Sequence, residues 1–411
     1  MRRIGMLATC AADGGQGDVH PITNAALAWA DGRIAWVGRD EDLPAAYAEE
    51  TPANLDISTP LVIPGLIDCH THLAFGGWRA NEFVERINGR TYQEIAAEGG
   101  GIASTVAQTH ASSSEALFDK CESFLAEMFS LGVMTVECKS GYGLTLEEEL
   151  RILRVYRDLA ADGMQRIVPT LLGAHTVPAA MRDRRDAYVD LVIKEMIPAV
   201  ARERLATCCD VFVEGGAFTV DEARRILRAA HEAGLAAKLH ADQLSDGGGA
   251  ALAAEMHAIS ADHLEHASDA GIAAMARAGV VAVSLPLAAL YLGQPPMPAR
   301  KFIAAGVPVA VATDFNPGSA PTYHLPLALT LACTMQRMAP AEALKGATIY
   351  AARAVGLEAE IGSLEPGKRA DFVVLDSPGI DHWLYHFRAN ACKATVCQGS
   401  LDWRQGVKPN G

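Results

Sequence analysis

The sequence predicts an α/β fold in which a (β/α)8 TIM barrel carries a small β-sandwich domain formed from both chain termini. Three observations lead there. Through the middle of the chain, eight short apolar β-type runs alternate with longer helical stretches, as in parallel βα units. Residues 1–58 and 360–411 read instead as short strands and turns. The length of 411 residues suits one barrel, which takes about 250 residues and can exceed 400 with insertions.

At the N-terminal end, residues 25–29 and 33–38 are apolar runs separated by Asp31-Gly32, a hairpin signal. The same style returns in residues 362–376 and 394–399, which suggests one β domain built from 1–58 and 360–411. The barrel is expected over 59–359, with strands at 61–70, 133–138, 166–172, 209–213, 236–240, 258–263, 280–285 and 307–313. Helical stretches such as 146–161 and 221–233 separate them. Eight such units close into a barrel more readily than they form an open sheet.

Composition narrows the function. Half the residues are hydrophobic, a fifth are charged, and the net charge is −14, which argues against nucleic acid or an anionic membrane as partner. An anionic small molecule would need a local basic pocket against that field. No apolar run reaches the ~18 residues of a membrane span. The opening stretch Met1-Arg-Arg-Ile-Gly-Met-Leu-Ala-Thr-Cys10 is followed at once by Ala-Ala-Asp-Gly-Gly, too short an apolar run for a secretion signal. A cytoplasmic protein is expected. Nine cysteines include the neighbours Cys208 and Cys209 but no CxxC pair, so reduced, buried thiols are expected. Cys69 alternates to the opposite strand face from His70 and is not a ligand candidate.

The first predicted strand ends in Pro64-Gly-Leu-Ile-Asp-Cys-His-Thr-His72. Residues i and i+2 of a strand share a face, so His70 and His72 can reach one ion. Alone, an HxH pair reads as two solvated histidines. Three other strands, however, also end in polar residues: His240 after Ala237-Lys-Leu, His263 after Ile259-Ser-Ala-Asp, and Asp314 after Val309-Ala-Val-Ala-Thr. Strand C-termini of a barrel converge on one face, where sites form. A metal centre explains that coincidence better than core packing does.

These motifs carry a resemblance over nearly the whole chain. Gly65-Leu-Ile-Asp-Cys-His-Thr-His72 resembles the first-strand motif of the amidohydrolase superfamily, and Ile361-Gly-Ser-Leu-Glu-Pro-Gly-Lys-Arg-Ala-Asp-Phe-Val-Val-Leu-Asp376 its return to the β domain. More narrowly, Glu137-Cys-Lys-Ser-Gly-Tyr-Gly-Leu144, Leu172-Gly-Ala-His-Thr-Val-Pro178, Lys238-Leu-His-Ala-Asp-Gln243, Ser260-Ala-Asp-His-Leu-Glu265 and Thr313-Asp-Phe-Asn-Pro-Gly-Ser319 resemble the imidazolonepropionase family. The resemblance implies one divalent metal ion per chain, Zn2+ or Fe2+, held by His70, His72, His240 and Asp314. It implies hydrolysis of the cyclic amide C–N bond of 4-imidazolone-5-propanoate to N-formimidoyl-L-glutamate, a step of histidine degradation. Some superfamily members bridge two metals through a carboxylated lysine. Lys139 is placed to tempt that assignment, but the family resemblance gives it no such role.

The same resemblance assigns substrate contacts. Arg79 would hold the propionate, where a planar guanidinium suits bidentate carboxylate binding. Tyr142, between two glycines, and His175 would meet the substrate, with His175 and the metal sharing the developing oxyanion. Asn316, Gly318 and Ser319 would meet the product's new carboxylate through a glycine-containing turn. Gln243 stands where other members of the family and related deaminases carry Glu. An amide cannot act as a base, so proton transfer would pass to Asp314 or His263, leaving Gln243 to hydrogen-bond the substrate. The partner is thus a small anionic substrate, and a homodimer is the expected assembly. Two rivals remain: a deaminase or a hydantoinase- or dihydroorotase-like ring opener, and a non-catalytic barrel. The first is weakened for deaminases by Gln243, the second by the presence of all four ligands.

Overall fold

The structure is a computed structural model that describes residues 1–47, 60–91, 94–95 and 98–404, the backbone alone for 401–404. The domain junction expected at 58/59, and the end of the 360–411 segment, lie outside the described residues.

Eight parallel strands form the barrel sheet: β5 (Leu66–Thr71), β6 (Val133–Lys139), β7 (Arg166–Ala174), β8 (Cys208–Val213), β9 (Ala236–Ala241), β10 (Ser260–His263), β11 (Val281–Ser284) and β12 (Val309–Val311). They pair in chain order. Past β12 the chain closes the ring against β5, Asp314 N–H donating to His70 O at 3.0 Å and His72 N–H to Phe315 O at 2.8 Å. Closure therefore sets the eighth-strand aspartate directly beside the first-strand histidines.

Several helices between strands begin where the sequence supplies caps. Thr145 accepts from the Glu148 N–H to start the helix Leu146–Asp162. Thr219 and Glu222 form a reciprocal box at Val220–Glu232, satisfying N–H groups that the first turn leaves bare. Inward faces are apolar: Leu150, Leu153 and Tyr156 of the first helix and Ile226 and Leu227 of the second are buried.

The termini build a second, seven-stranded mixed sheet in the order β15-β14-β13-β4-β1-β2-β3. Its members are β1 (Ile4–Ala8), β2 (Pro21–Ala30), β3 (Arg33–Arg39), β4 (Leu61–Pro64), β13 (Phe372–Leu375), β14 (Cys392–Cys397) and β15 (Ser400–Arg404). Asp31 and Gly32, at φ 50° and 74°, give the β2–β3 turn the double positive φ that matches strand twist. The sheet curls so that its ends meet: Ile34 N–H donates to Lys368 O at 2.9 Å, and Trp29 Nε1 to Gly399 O at 3.0 Å. Between them lies a small core of its own, including Ile4, Leu27, Ile34, Val62, Phe372 and Val374.

The strand expected at 61–70 is in fact two. Leu61–Pro64 pairs with β1 and β13 of the terminal sheet, while Leu66–Thr71 pairs with β6 of the barrel. Gly65 separates them, and a Cβ there would crowd the Met134 side chain. Periodicity could not reveal the break, since both halves are fully buried and the residues on either side of Gly65 are apolar.

Candidate active site

His70 lies in β5 and His72 one residue past it, and both imidazoles enter the barrel mouth, almost fully buried. His240 comes from the end of β9 and Asp314 from the segment after β12. The structure brings all four together: His72 Nε2 is 3.3 Å from His240 Nε2, and Asp314 Oδ1 is 3.4 Å from His70 Nε2 and 3.5 Å from His72 Nε2. His263, at the end of β10, joins from the side, with a ring nitrogen within 4.8 Å of donor atoms of His70 and Asp314.

Outer partners set the protons. His70 Nδ1 lies 2.6 Å from Asp262 Oδ2, and His240 Nδ1 lies 3.0 Å from Asp210 Oδ2. Each Nδ1 thus faces a carboxylate, an arrangement that turns each Nε2 toward the site as the ring nitrogen available to a metal. His70 Nε2 is buried without a hydrogen-bond partner. Burial first, then the neighbouring Lys139 and histidines, hold the His70 imidazole well below its usual range; burial and neighbouring histidines do the same for His72. Imidazole nitrogens converging in a buried site beside a carboxylate fit a divalent cation with N and O ligands.

His263 Nδ1 sits 3.8 Å from Glu265 Oε1. Burial lowers its pKa, but Glu265 and then Asp314 and Asp262 outweigh this and hold it above the usual value. Asp314 is pushed up, mainly by burial, against the pull of His263 and His240. Both residues sit at positive φ, 78° and 58°, a region uncommon outside glycine but one that His and Asp enter more readily than most residues.

Beside the donors opens a cavity of about 480 Å³ lined in part by His72, Arg79, Tyr142, His175, Gln243, His263, Asp314, Asn316 and Ser319. It holds every residue the sequence nominates for the substrate except Gly318. That glycine backs Arg79, since a Cβ on it would overlap the guanidinium. Arg79 is buried, with Nε and Nη1 lacking acceptors among the described residues and Glu82 Oε2 3.7 Å from Nη1. A buried guanidinium with unmet donors is built for an incoming anion.

Two expectations change in detail. The N–H groups of Gly318 and Ser319 both donate to Asn316 Oδ1 at 2.8 Å, so the turn offers neither to an anion. The turn forms part of the wall, with the Arg79 guanidinium lying against Gly318. His175 Nδ1 is 3.0 Å from Gly141 O, and burial lowers the ring's pKa to about 3. The ring is therefore neutral with Nδ1 donating, which leaves Nε2 an acceptor. Lys139, by contrast, points below the site, its Nζ 2.8 Å from Glu137 Oε1 and 2.7 Å from Asp210 Oδ2, and Cys69 is buried in the core.

Sequence reasoning overlooked the layer beneath the ligands. Asp68 accepts from the Thr313 N–H at 3.1 Å and its hydroxyl at 2.6 Å, and burial nevertheless pushes its carboxyl up to about 7. Glu137, Lys139, Asp210, Lys238 and Asp262 are likewise fully buried. Charged residues inside otherwise apolar strand runs were the available signal.

A closed parallel barrel with three histidines and an aspartate converging at its C-terminal face defines a metal-dependent hydrolase of the amidohydrolase kind. The pattern of the Amidohydrolase family matches residues 61–401. The chain is 49% identical to imidazolonepropionase of Symbiobacterium thermophilum over 93% of this chain and 91% of that one. It is 48% identical to imidazolonepropionase of Brevibacillus brevis, over 92% and 89%. The chain belongs to the amidohydrolase family and, within it, to the imidazolonepropionases. Among solved structures, a triazine hydrolase from Arthrobacter aurescens superimposes with TM-score 0.73 at 15% identity, over 99% of this chain and 95% of that one. Ochratoxinase of A. niger gives 0.72 at 20% identity, over 99% and 96%. At such identities these two establish the fold alone.

Proposed function

We propose that this enzyme hydrolyses 4-imidazolone-5-propanoate to N-formimidoyl-L-glutamate, opening the cyclic amide C–N bond with one Zn2+ or Fe2+ held by His70, His72, His240 and Asp314. The observation that carries the reading is that His72, His240 and Asp314 of that donor set line one cavity with Arg79, whose buried guanidinium keeps Nε and Nη1 without hydrogen-bond partners among the described residues. The first suits hydrolysis of a carbonyl, the second a substrate with a carboxylate tail. The bound ion supplies Lewis acidity and a water acidified toward neutrality.

The protein's own groups do the rest. Arg79 anchors the propionate and so fixes the ring's position over the donors. Asp314 Oδ2, with the Ser319 hydroxyl 3.3 Å away, takes a proton from the attacking water. His263, its Nδ1 turned toward Glu265, delivers a proton to the departing ring nitrogen. His175 Nε2 accepts a hydrogen bond from a ring N–H; in its neutral tautomer it has no proton to give an oxyanion, which revises the role expected of it. Tyr142, Gln243 and Asn316 complete the polar wall.

The reading extends to place and assembly. Among the described residues no helix is long and apolar enough to cross a membrane, and we place the enzyme in the cytoplasm with the pathway it would serve. A homodimer is supported by the exposed apolar side chains Phe83, Val84 and Ile87 on one helix, a face of the kind that partners cover; light scattering tests it. The function itself is tested with freshly prepared imidazolonepropionate, following loss of its ultraviolet absorbance, with hydantoin and dihydroorotate as controls. Turnover of the first alone is expected. Turnover of a control without it would overturn the assignment.

A further inference from the structure

We infer that Lys139 is a positioning residue of the metal centre, whose buried ammonium ties together the two carboxylates that orient the ligands His70 and His240. The inference rests on the metal-centre reading above and goes beyond it.

Lys139 Nζ lies 2.7 Å from Asp210 Oδ2, 2.8 Å from Glu137 Oε1 and 3.6 Å from Asp262 Oδ2. The two aspartate oxygens it faces are the same ones that face the imidazoles: Asp210 Oδ2 is 3.0 Å from His240 Nδ1, and Asp262 Oδ2 is 2.6 Å from His70 Nδ1. Asp210 Oδ1 in addition accepts from the His240 N–H at 3.1 Å. One cation, reaching up from β6, thus meets carboxylates on β8 and β10 that in turn hold ligands on β9 and β5. The side chains of Lys139, Glu137, Asp210 and Asp262 are all fully buried.

That burial makes the arrangement functional as well as structural. Carboxylates sealed from water need a counter-charge to stay in place. Each must also keep its oxygen on a histidine Nδ1–H if the opposite nitrogen is to aim its lone pair at the ion. Lys238, the neighbouring buried cation, cannot replace Lys139. It lies 3.7 Å from Asp262, but donates to Ser260 Oγ at 2.8 Å and Ala354 O at 2.9 Å, and no contact with Asp210 is formed among the described residues. Among the described residues only Lys139 lies within ion-pair distance of both carboxylates. The same contacts occupy the Nζ, which therefore serves the centre from below and is not itself a ligand.

The test is Zn2+ affinity of the full chain, measured by competition with a chromophoric chelator, together with the visible spectrum of the Co2+-loaded protein. Loss of an outer partner of a metal ligand typically weakens affinity by about 10–100-fold, and Lys139→Met should fall in that range with an altered Co2+ spectrum. Because Lys139 acts through Asp210, Lys139→Met/Asp210→Asn should bind Zn2+ no more weakly than Lys139→Met alone, whereas independent roles would multiply the two losses. If Lys139→Met fails to fold, Asp210→Asn alone keeps the shape and both cations and should still lose roughly tenfold in affinity. Zn2+ binding within about threefold of wild type with an unchanged Co2+ spectrum, in whichever variant folds, would overturn the inference and leave the metal centre standing. A wild-type chain that takes up no Zn2+ would instead overturn the metal-centre reading and this inference with it.

Discussion

Gly318 is the most informative position to change, because its effect has to pass through a different residue. A Cβ built there overlaps Nη2 and Cζ of Arg79 and lies 2.8 Å from Nη1. In Gly318→Ala the guanidinium must swing away. It is the free end of a flexible side chain, so the cost to the fold should be small, about 1 kcal/mol. The cost to the substrate is larger. A displaced guanidinium loses its charge-assisted hold on the propionate, worth about 1.5–3 kcal/mol, or roughly 10- to 150-fold in KM. Arg79→Met should raise KM by a similar factor, and the double variant should be no worse than either single one, since both remove the same contact. Steady-state kinetics on imidazolonepropionate would supply the three constants, with thermal melts to confirm folding. If Gly318→Ala keeps the wild-type KM, or if its effect and that of Arg79→Met multiply, the anchor assigned to Arg79 is wrong.

Other outcomes follow from the same geometry. Elemental analysis should find about one divalent ion per chain, as expected of a catalytic site with three or four protein ligands, and chelation should abolish turnover until Zn2+ or Fe2+ is restored. Gln243→Glu should stay within roughly tenfold of wild-type activity, about 1.4 kcal/mol of barrier, whereas His263→Ala should lose about 10²- to 10⁴-fold in kcat together with one limb of the pH profile. The metal-free protein should weaken in acid. The folded state holds His175 unprotonated down to about pH 3, while the unfolded chain binds that proton from about pH 6.5. The unfolded state then holds the extra proton, so stability is intact above pH 6.5 and falls by about 1.4 kcal/mol per pH unit for this group alone as pH drops toward 3. His70 and His72 shift in the same direction. Urea titrations from pH 7 to 4 giving a flat stability curve would contradict the buried, neutral histidines.

Much of this is legible in the sequence. The alternation of β-type runs and helices specified the barrel, and the βα rule then placed His70, His72, His240 and Asp314 on one face, because strand ends converge whatever their distance in sequence. Asp31-Gly32 marked its hairpin through φ angles that few residues adopt. Other features depend on neighbours distant in the chain. Periodicity reads 61–70 as one apolar run, and only pairing partners divide it at Gly65 between two sheets. The turn after Asp314 looks open to an anion until the Asn316 side chain is seen to take its N–H groups. The direction of the His175 ring was decided by the carbonyl of Gly141, 34 residues earlier in the chain. The charged layer of Glu137, Lys139, Asp210 and Asp262 was visible as letters, yet a lysine within an apolar strand has no meaning until its partners are known. Local sequence determines which element forms and which residues face inward, since those depend on φ, ψ and side-chain period. Tertiary structure alone decides who meets whom, because hydrogen bonds and ion pairs act over a few ångströms of space between residues that the chain holds far apart.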